Sequence, residues 1–244
     1  MKKIALRVAV IAIGFAITSA FAGDLEDLSA KITKNMPGLK IDSLAESPVP
    51  GLYELVSGGD VAYVTADGVH LIQGTMFNVP EKKNVSEATL AKLRVKEMAS
   101  IDKKSLIVFP AKGGKAKHTL TVFTDPSCPY CKRLHQEIPK LNEMGVTVQY
   151  ALYARTGTGT LTSRQLSEIM CSPDKKLTMD HFFQSPMAQS NGAKCQAAEG
   201  LDRIARVGPR VGLKGTPHLV GDNGYSNAGF MPAEELVRAL NDAS

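Results

Sequence analysis

The feature that most constrains this chain is a pair of cysteines, Cys128 and Cys131, in the stretch TVFTDPSCPYCKRLHQEIPKL. β-prone residues precede the pair, a helical pattern follows it, and a second β-prone stretch comes next. This order predicts a βαβ unit with strands at 119–123 and 146–151 and a helix from 129 to about 142. A CxxC motif in such a unit is typical of a thioredoxin-like redox site.

The start of a helix gives the two thiols different chemistry. Cys128 falls at the N-cap, and Pro129 falls at the first helical position, where a missing N–H costs nothing. Free backbone N–H groups and the helix dipole favour the Cys128 thiolate and lower its pKa. Cys131 lies one turn further on, placed to attack a mixed disulfide. We expect Cys128 to be the nucleophile and Cys131 the resolving thiol.

Other roles for the pair fit the sequence less well. Haem attachment requires a histidine directly after the second cysteine, where Lys132 stands. A zinc site built from all four cysteines would need a second close pair, whereas Cys171 and Cys195 are far apart in sequence. An inert disulfide is the alternative to redox exchange. Redox exchange is favoured, and the sequence indicates no metal and no cofactor.

The first 22 residues have the pattern of a secretory signal. It consists of basic Lys2, Lys3 and Arg7, an apolar stretch at 8–17, and the small-x-small motif that ends at Ala22. The apolar stretch is well short of the roughly 20 residues that span a bilayer, so we expect export with cleavage after Ala22. Three of the 29 basic residues lie in this segment, and without them the formal net charge falls from +5 to +2. The sequence has no basic stripe that carries aromatic residues, so we do not expect nucleic acid as a partner.

The rest of the chain divides into two regions and a connection. Residues 23–80 predict a small α+β unit, with a helix at 24–34 and strands at 52–56, 61–65 and 69–73. So small a unit often completes its core by oligomerising. Residues 81–104 predict a connecting helix, which either separates two domains or packs on a surface. Residues 105–244 predict the thioredoxin-like domain, with a helical insertion at about 155–212.

Three stretches resemble the DsbC family of bacterial periplasmic disulfide isomerases: GVHLIQGTMFNV, the cysteine segment continued to ALYAR, and VGLKGTPHLV. The likeness covers essentially the whole mature chain. It implies a V-shaped homodimer whose subunits each have an α+β cystatin-like dimerisation domain, a linker helix and an α/β thioredoxin-fold catalytic domain. It further implies a periplasmic location, misfolded or wrongly disulfide-bonded secreted proteins as substrates, and a transmembrane thiol reductase of the DsbD type as electron donor.

The resemblance also implies roles for residues outside the cysteine pair. Thr216 and Pro217 match the loop whose proline is cis and faces the active pair, where it would present backbone groups to an extended substrate. Cys171 and Cys195 match the structural disulfide of the family.

Two positions depart from the family pattern. Pro129-Tyr130 stands where Gly-Tyr is usual, and His218 follows the proline where a small residue is commoner. We expect both positions to adjoin the sulfurs and to tune the reduction potential, so the balance among isomerase, reductase and oxidase stays open. Tyr130 either contacts substrate or packs at the helix start. His135, one turn beyond Cys131, is interpreted as a surface or packing histidine.

Two further functions fit the same sequence. One is a DsbG-like thiol reductase that protects single oxidised cysteines. The other is a dimeric holdase chaperone whose cysteines are incidental. Replacing both active cysteines distinguishes them, because a holdase would still suppress aggregation whereas a redox enzyme would lose turnover.

Overall fold

The computed structural model describes residues 20–190 and 192–243. The chain divides into two compact units, the first running to Ser57 and including Ala62–Gln73, the second holding Gly58–Val61 and the chain from Gly74 onward. The secretory signal predicted for the N-terminus lies outside the described residues except for its last three positions, which begin the first helix. Within the described residues, no helix is long and apolar enough to cross a membrane.

The first unit packs one helix on a four-stranded sheet. Its elements are α1 (Ala20–Asn35), β1 (Ser43–Glu46), β2 (Leu52–Ser57), β3 (Asp60–Thr65) and β4 (Leu71–Gln73), and the strands are ordered β1-β2-β3-β4. Leu28 and Ile32, four residues apart on α1, are buried against Leu55 and Val64 of the sheet. This core is small, as the sequence predicted.

Strand β4 is shorter than the predicted strand at 69–73. The Asp67 carboxylate accepts the backbone N–H of Val69 at 3.0 Å, so the Asp-Gly turn extends through Val69 and delays strand pairing. β4 forms one edge of the sheet, and all three of its residues are exposed.

The second unit is built on a five-stranded sheet of order β11-β10-β8-β9-β7. Its elements are β5 (Phe77–Asn78), β6 (Lys83–Asn84), α2 (Val85–Met98), a short 3-10 turn (Lys103–Ser105), β7 (Ile107–Phe109), β8 (His118–Thr124), α3 (Pro129–Glu143), β9 (Val146–Leu152), α4 (Leu161–Cys171), α5 (Lys175–Gln184), α6 (Gln196–Arg210), β10 (His218–Gly221), β11 (Ser226–Ala228) and α7 (Ala233–Asp242). β8 and β9 pair in parallel around α3, so the predicted βαβ unit is confirmed. Helices α4, α5 and α6 lie within the range predicted for a helical insertion.

Alternating side chains of the central strands supply two apolar clusters on opposite faces of the sheet. Leu120 and Val122 of β8 belong to the cluster that includes α3, whereas Phe123 belongs to the cluster that includes α6. Helix α3 contributes buried residues at helical spacing, namely Cys131, Leu134, Ile138 and Leu141. This packing fixes the start of α3 at the end of β8, where the cysteine pair lies.

Helix α2, predicted as a connecting helix, belongs to the second unit and packs against other parts of it. The Arg94 guanidinium donates to the Gly224 carbonyl at 3.0 Å, and the Arg210 guanidinium donates to the Glu97 carboxylate at 2.8 Å. Asn84 stands at the N-cap of α2, but its side chain makes no capping hydrogen bond. These contacts hold α2 to the rest of the second unit, and its role as a linker between domains stays a prediction. The domain boundary at residue 80 stays a prediction.

Candidate active site

A buried aspartate shapes the turn between β8 and α3. The Asp125 carboxylate accepts the backbone N–H and the hydroxyl of Ser127, at 2.8 and 2.5 Å. It also accepts the backbone N–H of Arg155 at 3.0 Å and the Arg155 Nε–H at 3.3 Å. The Asp125 carbonyl accepts the N–H of Cys128 at 3.0 Å. These bonds satisfy a fully buried carboxylate and fix the backbone that delivers Cys128 to α3.

Cys128 is the N-cap residue of α3, and Pro129 follows at the first helical position. The Cys128 side chain is 2% exposed, and its thiol donates to the Thr216 carbonyl at 3.2 Å. Burial opposes ionisation, but hydrogen bonds from the Cys131 backbone N–H, the Thr216 hydroxyl, the Cys131 thiol and the Tyr130 backbone N–H outweigh it and lower the pKa of Cys128. The helix start therefore favours a thiolate at this position.

Cys131 lies one turn further along α3 and is fully buried. Burial raises the pKa of its thiol to about 12, against the opposing effects of the hydroxyls of Thr124 and Thr216 and the N–H of Asp125. Neither hydroxyl has an oxygen or nitrogen partner among the residues that the structure describes. The pair thus has one thiol whose pKa is lowered and one whose pKa is raised.

The loop facing the pair contains the cis peptide bond Thr216-Pro217. His218 follows it as the first residue of β10, and its buried ring lies 6.2 Å from the ring of Phe123. His218 Nε2 contacts the Val211 carbonyl at 3.2 Å, and burial lowers the pKa of this imidazole. Phe123 and Val211 belong to the apolar cluster on the α6 side of the sheet. The imidazole is therefore directed to that side, away from the face on which Cys131 is buried.

Tyr130 lies on the surface beside the pair, and 56% of it is exposed. The Arg133 guanidinium lies 5.8 Å from the centre of the Tyr130 ring and 4.5 Å from the centre of the Phe230 ring. The tyrosine does not pack into the core at the start of α3. An exposed aromatic surface borders the buried sulfurs.

The other two cysteines form a disulfide, Cys171–Cys195, with a Cα–Cα distance of 5.7 Å. It joins the last residue of α4 to the residue before α6, inside the helical insertion. Cys128 and Cys131 are both free thiols. Among residues 20–190 and 192–243, no group of three or more His, Cys, Asp or Glu side chains is arranged to hold a metal ion.

Two family models match consecutive parts of the chain. Residues 19–87 match the disulfide bond isomerase protein N-terminal domain, and residues 103–244 match a thioredoxin-like domain. The thiol:disulfide interchange protein DsbC of Dickeya dadantii is 30% identical over 216 residues, covering 88% of this chain and 87% of that protein. The chain belongs to the DsbC family.

Other proteins are similar to this chain to a comparable degree. DsbC of Escherichia coli K12 is 29% identical over 230 residues, covering 93% of this chain and 94% of that protein. A solved structure of a disulfide interchange protein from Neisseria gonorrhoeae is 27% identical, with a TM-score of 0.46, and covers 58% of this chain and 97% of that one.

Two residues in this DsbC-family site, Thr124 and Asp125, were not singled out from the sequence. Thr124 is the last residue of β8 and Asp125 follows it, so the sequence signal for them was their place at the carboxyl end of a buried strand. His135 was interpreted as a surface or packing residue, yet both of its ring nitrogens are within hydrogen-bonding distance of other side chains. Its position four residues after Cys131 was the available signal.

Proposed function

We propose that this chain is an exported thiol-disulfide isomerase whose nucleophile is Cys128 and whose resolving thiol is Cys131. The observation that carries the proposal is that the surroundings of the two thiols shift their pKa values in opposite directions. The pKa of Cys128 is lowered, whereas the pKa of Cys131 is raised to about 12. Only a thiolate attacks a disulfide sulfur, so this difference supports a first attack by Cys128 and resolution by Cys131.

The reaction begins when the Cys128 thiolate attacks one sulfur of a non-native substrate disulfide. A mixed disulfide forms, and the second substrate sulfur leaves as a thiolate. If a substrate thiolate then attacks the mixed disulfide, Cys128 is regenerated and the substrate is isomerised without net electron transfer. If Cys131 attacks instead, the substrate is reduced by two electrons and the Cys128–Cys131 disulfide forms. A transmembrane thiol reductase of the DsbD type would return those electrons.

The surface around Cys128 is suited to an extended protein substrate. The Thr216 carbonyl lies beside the sulfur, and the proline that follows has no N–H to compete with a substrate strand for it. The exposed Tyr130 ring adds an apolar contact that requires no particular sequence. Such contacts suit misfolded or wrongly disulfide-bonded secreted proteins, whose segments have little in common beyond exposed backbone and apolar side chains.

The first unit has an exposed strand edge through which two copies of the chain can pair as a homodimer. Strand β4 is an unpaired edge, and the apolar side chains of Leu71 and Ile72 on it are 39% and 52% exposed. Exposed apolar edges of this kind pair readily with a second chain. We place the dimer in the periplasm after cleavage behind Ala22, in keeping with the N-terminal pattern.

Refolding of a scrambled multi-disulfide protein tests the proposal. The reduced full-length chain should restore native disulfides faster than a thiol buffer. Cys128→Ser should abolish this gain, because no mixed disulfide can form at the nucleophile position. A chain that reduces single oxidised cysteines but leaves the scrambled protein unchanged would be a reductase of the DsbG type. Two results together would indicate a holdase. The normal chain would exchange no disulfides, and the variant without both cysteines would suppress aggregation as well as the normal chain does.

A further inference from the structure

Beside the cysteine pair, an arginine side chain contacts two aromatic rings. The Arg133 guanidinium is 4.5 Å from the centre of the Phe230 ring and 5.8 Å from the centre of the Tyr130 ring. Arg133 and Tyr130 are exposed, and Phe230 is half-buried. Because aromatic faces attract a guanidinium, the two rings hold this cation at a defined place on the surface.

The two rings belong to the two segments that meet at the Cys128 sulfur. Tyr130 lies in the first turn of α3, two residues after this cysteine. Phe230 follows Gly229, whose backbone N–H donates to the Pro217 carbonyl at 2.8 Å. The carbonyl of the residue before that proline accepts the Cys128 thiol at 3.2 Å. The guanidinium thus lies between the helix start and a residue tied to the cis-proline loop.

Arg133 has no carboxylate within ion-pair distance in the described ranges of the chain. Glu137, four residues further along α3, is at the spacing from which helices often supply such a partner. Its carboxylate instead accepts the backbone N–H of Ala233, at the start of α7, at 3.2 Å. Glu234, the next residue along, is paired with Lys140. The charge of Arg133 therefore remains available to a group of another molecule.

Other exposed cations adjoin the cysteine pair. Lys132 directly follows the second cysteine, and Lys214 comes shortly before the cis peptide bond. Neither lysine is in an ion pair within the part of the chain that the structure describes. The carboxylate in the turn between β8 and α3, that of Asp125, is buried and already bonded to Arg155. A substrate that approaches Cys128 therefore meets a positively charged surface.

We propose that Arg133, held by Tyr130 and Phe230, makes the site react preferentially with disulfides that have acidic residues beside them. This inference rests on the proposed attack by Cys128, since the guanidinium acts on the segment that this thiolate approaches. With a rise of 1.5 Å per helical residue, Arg133 lies about 7 to 8 Å along the helix axis from Cys128. An extended substrate covers that distance in about two residues. Backbone and ring contacts accept any segment, and the charge adds a preference for aspartate or glutamate about two residues from the substrate cysteine.

Three peptides that differ only in charge test this preference with the reduced full-length chain. Each peptide has one cysteine, joined in a mixed disulfide to thionitrobenzoate, and has aspartate, serine or lysine two residues away on either side. The Cys128 thiolate bonds to the peptide sulfur, the bond to thionitrobenzoate breaks, and that group leaves as a coloured thiolate. A later attack by Cys131 releases only the colourless peptide, so the colour reports the first attack. Each rate is divided by the rate of the same peptide with mercaptoethanol, which removes differences in the intrinsic reactivity of the peptides.

The normalised rates should fall in the order aspartate, serine, lysine. At low salt we expect the aspartate and lysine peptides to differ by about tenfold, as electrostatic steering allows. Arg133→Gln should lower this ratio by about threefold, a value typical of one exposed charge pair. Phe230→Leu should lower it too, because it keeps the charge and removes the ring nearest to the guanidinium. In 1 M salt the preference should disappear, since charges are then screened beyond about 3 Å.

Lys115→Gln is the matched control. It removes one exposed positive charge from the loop before β8, at the end of that strand opposite to Cys128, and it should keep the ratio of the normal chain. An equal fall of the ratio in Lys115→Gln would show that net charge sets the preference, and would overturn the role of Arg133. A ratio near one in the normal chain, or an unchanged ratio in Arg133→Gln, would overturn it as well, and an unchanged ratio in Phe230→Leu would overturn the positioning by the ring.

These results would leave the proposed function standing, because all three peptides would still react with the chain. Failure of the proposed function has a different signature. A normal chain that reacts with none of the peptides faster than mercaptoethanol does would refute the attack by Cys128 itself.

Discussion

The contrast between the two thiols depends on the groups that surround each sulfur. Backbone N–H groups at the start of α3 stabilise a Cys128 thiolate, whereas Cys131 has too few such donors to offset complete burial. The Thr216 hydroxyl favours ionisation of both thiols and has no oxygen or nitrogen partner among the described residues. Thr216 is therefore the residue whose side chain most directly links the cis-proline loop to thiol chemistry.

Replacing Thr216 with valine should raise the pKa of Cys128. The variant keeps the shape of the side chain but removes a hydrogen bond to the thiolate, and hydrogen bonds to charged groups contribute about 1.5 to 3 kcal/mol. At about 1.4 kcal/mol per unit, the pKa should rise by about one unit or more. The pH dependence of Cys128 alkylation, followed by mass spectrometry, should shift toward higher pH by that amount.

Thr119→Val is the control for this experiment, because Thr119 lies near the other end of β8. It should leave the alkylation profile unchanged. A Thr216→Val profile identical to that of the normal chain would show that the hydroxyl does not stabilise the thiolate. A shift toward lower pH would contradict the assigned direction.

The disulfide between α4 and α6 should stabilise the fold without affecting exchange. Cys171 and Cys195 are separated by 24 positions, and closing a loop of this length stabilises a folded chain by about 3 kcal/mol through the entropy of the unfolded state. The double variant Cys171→Ala/Cys195→Ala should lose about this much free energy of unfolding in a denaturant titration. Its rate of Cys128 alkylation should match that of the normal chain, and a marked change in that rate would show that the bridge shapes the active site.

Helices and strands with strong periodicity could be predicted from the sequence. The βαβ unit around α3 was predicted because apolar residues follow helical spacing in one segment and β-prone residues flank it. The start of β4 was misplaced by two residues because a side chain, Asp67, caps the turn before it. Whether α2 packs or separates domains could not be decided, because it depends on Arg94 and Glu97 meeting groups far away in sequence.

Only the part of the site that lies within one short sequence segment could be predicted. Cys128, Cys131 and Pro129 lie in one motif, and their roles follow from helix geometry. The partners of His135 come from β9 and α5, and no sequence spacing relates them. The direction of the His218 ring could not be predicted either. It depends on the face of the sheet toward which this position of the strand points, and the loop before the strand determines that face.

A charge on strand β4 should dissociate the proposed dimer. Ile72 is 52% exposed on this edge strand, so Ile72→Lys should not disturb the core of the first unit but would place charges where two copies pair. Light scattering should report the mass of a monomer. Thiol exchange with a small disulfide should persist, because Cys128 and Cys131 are supported within the second unit.

Ala45→Lys is the matched control, since Ala45 is exposed on β1 at the opposite edge of the same sheet. It should remain dimeric. If Ile72→Lys stays dimeric while Ala45→Lys dissociates, the pairing edge is β1. A normal chain that is monomeric would contradict the proposed dimer altogether. In cells, the monomeric variant should accumulate with oxidised active cysteines, as read by alkylation and gel shift.

Trapping of the mixed disulfide tests the central claim most directly. With Cys131→Ser, resolution through the second thiol is impossible, so a substrate protein with non-native disulfides should remain covalently joined to the chain. Peptide mapping by mass spectrometry should place the link at Cys128. Cys128→Ser should trap nothing, because burial raises the pKa of the Cys131 thiol to about 12 and this thiol therefore does not ionise readily. Equal trapping by Cys128→Ser, or a link formed through Cys171 or Cys195, would contradict the account.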